Sequence, residues 1–248
     1  MRALRVGLVF LVAALLAGCP DWDSFSRGNG APSPDAGDSG TTSAFGDSGA
    51  EAAADAAEGG AVVPVVTVDF AVDPVATYDL TELGATDWLE AHSEEQPPNR
   101  CASCAPTITL LTTQDAPYYE YGMDGRTFRW SNGTPVAKGA SNGGVFVEGI
   151  GGGFELEVAA NGERQVLTVH VDTYFAGASF TAKLDGVTPA SVDIPKAKDQ
   201  QRYALRAHFT AVAGTKVSIT FSETDVAPTD AADTPNIAFS AATLAPEP

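Results

Sequence analysis

The chain predicts an all-β fold, a two-sheet antiparallel β-sandwich of the jelly-roll kind, placed after a disordered N-terminal region. Three observations lead there. From Pro64 onward, short runs alternate apolar and polar residues at period two. Gly, Pro, Asn and Asp, the turn-forming residues, break these runs at short spacing. No stretch beyond Pro64 carries the periodicity of a long helix. Strands with one apolar face each must bury those faces against one another, and two packed sheets do so.

The elements follow in order. Residues 65–70 (VVTVDF) open the domain as a strand that Pro74 ends. Residues 78–80 and 87–89 are short apolar pieces, and residues 90–100 read as a polar loop with two prolines. Residues 107–112 (TITLLT) are β-branched and extended. Residues 116–124 (APYYEYGMD) read as an aromatic loop, and residues 127–130 as a strand closed by the turn Ser131-Asn132-Gly133. A strand at 144–148 leads through the glycine turn 149–153 into Phe154, Leu156 and Val158, which share one face. Asn161-Gly162 is a hairpin signal, with residues 166–171 returning. Phe180, Ala182 and Leu184 alternate next, closed by Asp185-Gly186. Tyr203, Leu205, Ala207 and Phe209 then face one way, and Arg202, Arg206 and His208 the other. Gly214 precedes Val217, Ile219 and Phe221, and residues 237–244 form the last strand.

The region before this domain has a different logic. Arg2 and Arg5 precede an apolar run over residues 6–16, too short for a spanning helix. The run ends in Leu16-Ala17-Gly18-Cys19, which resembles the lipobox of bacterial lipoproteins. That resemblance implies a signal peptide over residues 1–18 and a diacylglyceryl group on the Cys19 thiol, the new N-terminus. Buried acyl chains contribute about 0.8 kcal/mol per CH₂, so several chains on one residue hold a protein at a membrane. Pro20, where an Asp would favour inner-membrane retention, leans toward the outer membrane. Residues 19–63 are rich in Gly, Ala, Ser and Asp and have almost no large apolar side chains. They cannot bury enough surface to offset ordering entropy and are expected to be a disordered linker. A flexible linker of this length spans roughly 35–40 Å. Residues 64–248 remain as one β-sandwich domain.

The formal net charge is −18, of which the final domain carries −13 with no basic cluster. That balance argues against nucleic acid and anionic lipid as partners of the domain. With Cys19 assigned to the lipid, Cys101 and Cys104 remain as a pair. A redox CxxC needs a helix N-terminus, but prolines and a strand flank this one. Zinc needs about four ligands and only His92 is near, while haem attachment needs a His where Ala105 stands. A loop disulfide is the expectation outside the cytoplasm.

Several motifs run in order through the domain: Asp79-Leu80-Thr81, Asp87-Trp88, Trp130-Ser131-Asn132-Gly133-Thr134-Pro135, the glycine turn into Phe154, Arg164 to Val169, and Phe180 to Leu184. Together they resemble a galactose-binding-like jelly-roll module of secreted bacterial proteins. The resemblance implies a carbohydrate-binding type of domain. Ala91 stands where that family tends to have a second aromatic, and the CxxC pair stands where it tends to have Arg-Lys.

Sugar recognition uses flat aromatic faces with a few polar groups. The ligand-binding candidates are Trp88, Tyr118, Tyr119, Tyr121 and Tyr174, with Phe175 beside the last. Trp88 also suits the core. Asp87, Asp172 and Asp185 are candidates for a structural Ca²⁺. His92, His170 and His208 are scattered and read as surface or satisfied groups, and no G-x-S-x-G elbow or marked carboxylate pair points to catalysis. The expectation is a lipid-anchored envelope protein, not an enzyme, whose sandwich binds a glycan or envelope component. The alternative is a structural or protein-interaction domain with no small ligand.

Overall fold

A computed structural model describes residues 62–91, 97–112, 117–122, 124–228 and 234–248. The signal segment, Cys19, most of the linker and His92 lie outside the described residues. In chain order the strands are β1 (Val65–Val72), β2 (Thr77–Asp79), β3 (Asp87–Glu90), β4 (Asn99–Cys101), β5 (Ile108–Thr112) and β6 (Tyr119–Tyr121). They continue as β7 (Thr127–Trp130), β8 (Gly133–Thr134), β9 (Gly139–Ser141), β10 (Gly144–Glu148), β11 (Gly153–Ala159) and β12 (Gln165–Tyr174). The last are β13 (Ala176–Leu184), β14 (Ala190–Ile194), β15 (Gln200–Thr210), β16 (Lys216–Val226) and β17 (Asn236–Pro246). One helical turn, α1 (Leu80–Leu83), follows β2, and the Asp79 carboxylate caps it by accepting from the Thr81 N–H at 3.1 Å.

These strands make a two-sheet β-sandwich of jelly-roll type. A nine-stranded sheet runs β1-β15-β12-β17-β3-β4-β8, with β10 and β6 extending from the first half of β17. A five-stranded sheet runs β14-β13-β16-β11-β5. Both are antiparallel throughout. From β10 onward, every connection except the β13–β14 hairpin carries the chain from one sheet to the other. The glycine turn before β11 is one such crossing, with Gly149 and Gly151 at φ 98° and 88°.

Two local expectations change. Asn161-Gly162 does not close a hairpin. Gly162 has the left-handed φ of 94° that the signal requires, but β11 already has β5 and β16 on its two edges. The turn therefore sends β12 into the opposite sheet, between β15 and β17. The aromatic segment expected as a loop holds the edge strand β6, because Tyr119 and Tyr121 pair in register with Phe146 and Gly144.

The period-two faces build the core between the sheets. Phe154, Leu156, Val158, Phe180, Ala182, Val217, Ile219 and Phe221 come from the five-stranded sheet, all essentially buried. Leu167, Val169, Val171, Leu205, Phe209, Phe239 and Leu244 meet them from the nine-stranded sheet. Burying one such side chain contributes roughly 1.5–3 kcal/mol.

The nine-stranded sheet is also covered on part of its outer face. A small sheet of β2, β7 and β9, in which β2 and β7 run parallel, lies against a second core of Leu80, Trp88, Cys101, Phe128, Trp130 and Ala241. This explains why β17 reads as a nearly continuous apolar run, since its middle is covered on both sides. Gly133 belongs to the same arrangement: a Cβ there would lie 2.5 Å from Cδ1 of Trp130, whose Nε1 donates to the Val136 carbonyl at 2.8 Å. Asp87 ties the layers together. One of its buried oxygens accepts from the Thr107 and Ile108 N–H groups at 2.8 and 2.9 Å, at the start of β5.

Candidate functional site

Alternation along β12 sets the site. Leu167, Val169 and Val171 enter the core, so His170, Asp172 and Tyr174 stand on the outer face of the nine-stranded sheet. Gln200 and Arg202 of β15 lie opposite Tyr174 and Asp172, and Asn236 and Ala238 of β17 flank them on the other side. The edge strand β6 brings Tyr119 and Tyr121 onto that face beside Phe146. Their rings lie 5.3 and 6.5 Å from the Phe146 ring, the first tilted and the second edge-on. The approach of Tyr121 requires glycine at 144, where a Cβ would stand 2.9 Å from Tyr121 Cε1 and 2.3 Å from the Phe239 carbonyl oxygen.

Two adjoining cavities open here. One, of about 280 Å³, is lined by Tyr121, Phe146, Asp172, Tyr174, Gln200 and Asn236. The other, of about 310 Å³, is lined by Glu90, Glu120, Tyr121, Ser141 and the backbone at Gly143 and Gly144. Tyr121 and Gly122 are common to both. Aromatic rings with a few converging carboxylates, amides and hydroxyls are the chemistry of a site for a polar ligand with an apolar face.

Beneath the floor lies a buried charge network centred on Arg126. Its guanidinium grips Asp124 with two bonds of 2.6 Å, Asp172 at 2.6 Å and Asp73 at 2.7 Å. Arg126 is 0 % exposed, and the Val171 carbonyl and Ser240 hydroxyl oxygens also accept from it. Gly125, at φ 87°, lets the chain turn between Asp124 and Arg126. Asp73 also accepts from Tyr78 OH and lies 2.8 Å from Nδ1 of His170. Tyr121 OH lies 2.9 Å from Asp172 and from Ser240 Oγ, and 3.1 Å from Asp124.

Three carboxylates around one cation do not titrate alike. Burial pushes Asp172 up to about 6, with the Arg126 charge opposing and the Asp124 charge adding. Burial also acts to raise Asp73, but the neighbouring His170, Tyr78 and Arg126 outweigh it and hold the carboxyl at about 2. Asp124 is likewise lowered, burial being overcome by its bonds to Arg126 and Ser240. Burial and the two nearby carboxylates raise the Tyr121 hydroxyl, which stays protonated as a donor.

The aromatic candidates separate. Tyr121 and Tyr174 line one cavity, and Tyr119 stands half-exposed beside Phe146. Tyr118 packs against the main core. Trp88, a ligand candidate from sequence, is corrected to a core residue: it is 0 % exposed, 6.0 Å from the Trp130 ring, and has no face open to a ligand. Cys101 and Cys104 form a disulfide with their Cα atoms 5.4 Å apart, and Cys101 enters the second core. The three aspartates proposed for Ca²⁺ do not gather: Asp87 bonds the start of β5, Asp172 bonds Arg126, and Asp185 is exposed in a turn. Among the described residues no cluster of His, Cys, Asp or Glu fits a metal ion. His170 is buried against Asp73, and His208 pairs with Asp69 at 2.9 Å. The sequence reading missed Arg126, Asp124, Asp73, Phe146, Gln200 and Asn236. The one local signal was Asp124-Gly125-Arg126, an Asp and Arg held across a turn glycine.

No family model matches the chain, and no curated protein matches it. Among solved structures it is similar to TmCBM61 in complex with β-1,4-galactotriose, at 13% identity and a TM-score of 0.36, over 58% of this chain and 90% of that one. It is similar to CBM35 from Cellvibrio japonicus Abf62 at 15% identity and a TM-score of 0.27, over 56% and 97%. It is also similar to the K1 cleaved adhesin domain of Lys-gingipain from Porphyromonas gingivalis, at 13% identity and a TM-score of 0.30, over 57% and 99%.

Proposed function

We propose that the domain holds a glycan without transforming it, and that a lipid on Cys19 tethers it to the surface of a bacterial membrane, the outer one where there are two. The carrying observation is the pair of adjoining cavities with Tyr121, Phe146 and Tyr174 as walls and Asp172, Gln200 and Asn236 as polar contacts. A pyranose has an apolar face for such rings and hydroxyls for such polar groups. The carboxylate on the floor favours holding over catalysis. Asp172 is engaged on one oxygen by Arg126 and on the other by Tyr121 and Gln200, so its bonds position the tyrosine and leave no oxygen poised as a nucleophile.

The test is a glycan array with the full-length protein in detergent, beside Tyr119→Ala and Tyr174→Ala. Both substitutions trim aromatic surface without touching Arg126. Saturable binding should weaken about tenfold or more in Tyr174→Ala, as for an aromatic anchor in a pocket, with the melting temperature nearly kept. Absence of binding to every glycan by the folded protein would leave the protein-interaction alternative in its place. The anchor is tested separately: Cys19→Ala should abolish fatty-acid labelling and release the protein from the membrane fraction. Retention of both removes the lipid reading.

A further inference from the structure

We propose that Gly122 is a low saddle joining the two cavities, so that one ligand lies across both and the site selects two linked sugar units over one. This rests on the glycan reading and adds a chain length to it. Tyr121 and Gly122 are the residues common to the cavities of about 280 and 310 Å³. Either cavity alone sits at the small end of the range for ligand sites, roughly 300–1,000 Å³, and the two joined fall well within it. Each offers polar groups of its own, Asp172, Gln200 and Asn236 in one and Glu120 and Ser141 in the other, with Tyr121 lining both.

The glycines around Gly122 are required by the fold. A Cβ at Gly143 would stand 2.2 Å from the Tyr121 carbonyl oxygen, and one at Gly144 2.3 Å from that of Phe239. Gly125 has a left-handed φ of 87°. Gly122 has neither reason. Its φ lies outside the left-handed region, and among the described residues nothing beyond its chain neighbours lies within 4 Å of a Cβ built there. A glycine in such a place gives up backbone entropy on folding with no steric return. What it leaves is a passage between the cavities with no side chain in it. A glycosidic linkage is a single oxygen between two rings, narrower than either, and a low crossing of this kind admits it. The neighbouring Tyr121 is already fixed, its hydroxyl 2.9 Å from Asp172 and from Ser240, so little ordering is left to do on binding. Once one sugar is seated, the linkage holds the second beside its own cavity and makes its binding intramolecular. A third unit reaches past both cavities and gains little.

The test is an array carrying glucose, galactose, mannose, N-acetylglucosamine and galacturonic acid, each as monomer, dimer, trimer and tetramer. It is probed with the full-length protein in detergent, and each sugar bound is then measured by calorimetric titration. The dimer should bind about tenfold or more tightly than its monomer, and longer oligomers should add no more than about threefold. Gly122→Ala, Gly122→Val and Gly122→Phe then fill the saddle in steps. All three should keep the parent melting temperature closely, since the added atoms enter open space. Dimer affinity should fall with the size of the new side chain until the advantage over the monomer is lost, while monomer affinity is kept. Dimer and monomer falling together, or neither falling, overturns the inference. So does a collapse of the melting temperature already in Gly122→Ala, because the glycine would then serve the fold. Monomers bound as tightly as dimers overturn it while leaving the glycan reading intact, and no binding of any sugar by the folded protein overturns both.

Discussion

Replacing Arg126 with methionine should lower the melting temperature of the domain by about 10 °C or more. Methionine fills much of the same space but leaves Asp73, Asp124 and Asp172 facing one another with their shared cation gone. Removing one partner of a buried ion pair costs about 3–5 kcal/mol, and a domain of this size loses about 2–4 °C per kcal/mol. Arg126→Lys should fall between, because an ammonium supplies charge but cannot match the two-bond grip on Asp124. Arg129→Met is the contrasting case: its pair with Asp79 is 3.2 Å long with the arginine more than half exposed, and such pairs contribute about 0–1 kcal/mol. The deficit of Arg126→Met should also shrink as the pH is lowered toward 4, where the stranded carboxylates take up protons. Thermal unfolding followed by circular dichroism measures all three. A melting temperature for Arg126→Met within two or three degrees of the parent would show that the network is not what closes this layer.

The network that this substitution tests was the part least legible in the sequence. Alternation made the inner faces of β11, β13, β15 and β16 readable, because a buried face repeats every two residues within one strand. Arg126 obeys no such local rule. Apart from Asp124, two residues away, its side-chain partners stand 53 residues before it and 46 and 114 after it, and only the sheet topology brings those together. Asp172 was visible only as one of three candidates for a structural Ca²⁺, with nothing local pointing to Arg126. The Asn161-Gly162 turn shows the same limit from the other side. The residues specify a left-handed turn correctly, but which strand β12 pairs with depends on edges that β5 and β16 occupy from elsewhere in the chain. The aromatic segment was legible as a candidate site because three tyrosines in four residues exceed what one buried face can take. Its extended, paired conformation was not, since the register comes from Phe146 and Gly144.

The second large effect is a stability maximum on the acid side of neutrality. Glu223 continues the inward register of Phe221 at the end of β16, and its side chain is 1 % exposed. Burial raises its carboxyl to about 7, a backbone bond from Gly149 opposing and the charge of Glu148 adding. Asp172 is raised to about 6 by burial. A raised carboxyl binds its proton more tightly in the folded chain than in the unfolded one. The stability each contributes is present below the unfolded values of 4.5 and 3.8 and is lost as pH climbs through about 7 and 6. Asp73 has the opposite sign. Held at about 2, it stabilises the fold above 3.8 and loses that contribution as pH falls further. The two trends meet near pH 4–5, and the melting temperature at pH 5 should exceed that at pH 7.5 by several degrees, on the order of a few kcal/mol. General repulsion among the excess carboxylates of a chain with net charge −18 gives a slope of the same sign, so the slope alone does not identify its source. Glu223→Gln separates them. It removes one negative charge among 32 acidic residues, a small change to the general field, but it removes most of the titration above pH 6, where only the tail of Asp172 remains. The variant should therefore be more stable than the parent at pH 7.5, nearly equal at pH 5, and clearly shallower than the parent between 6 and 7.5. A parent curve that rises toward pH 7.5, or a variant whose curve parallels the parent throughout, would place the proton elsewhere.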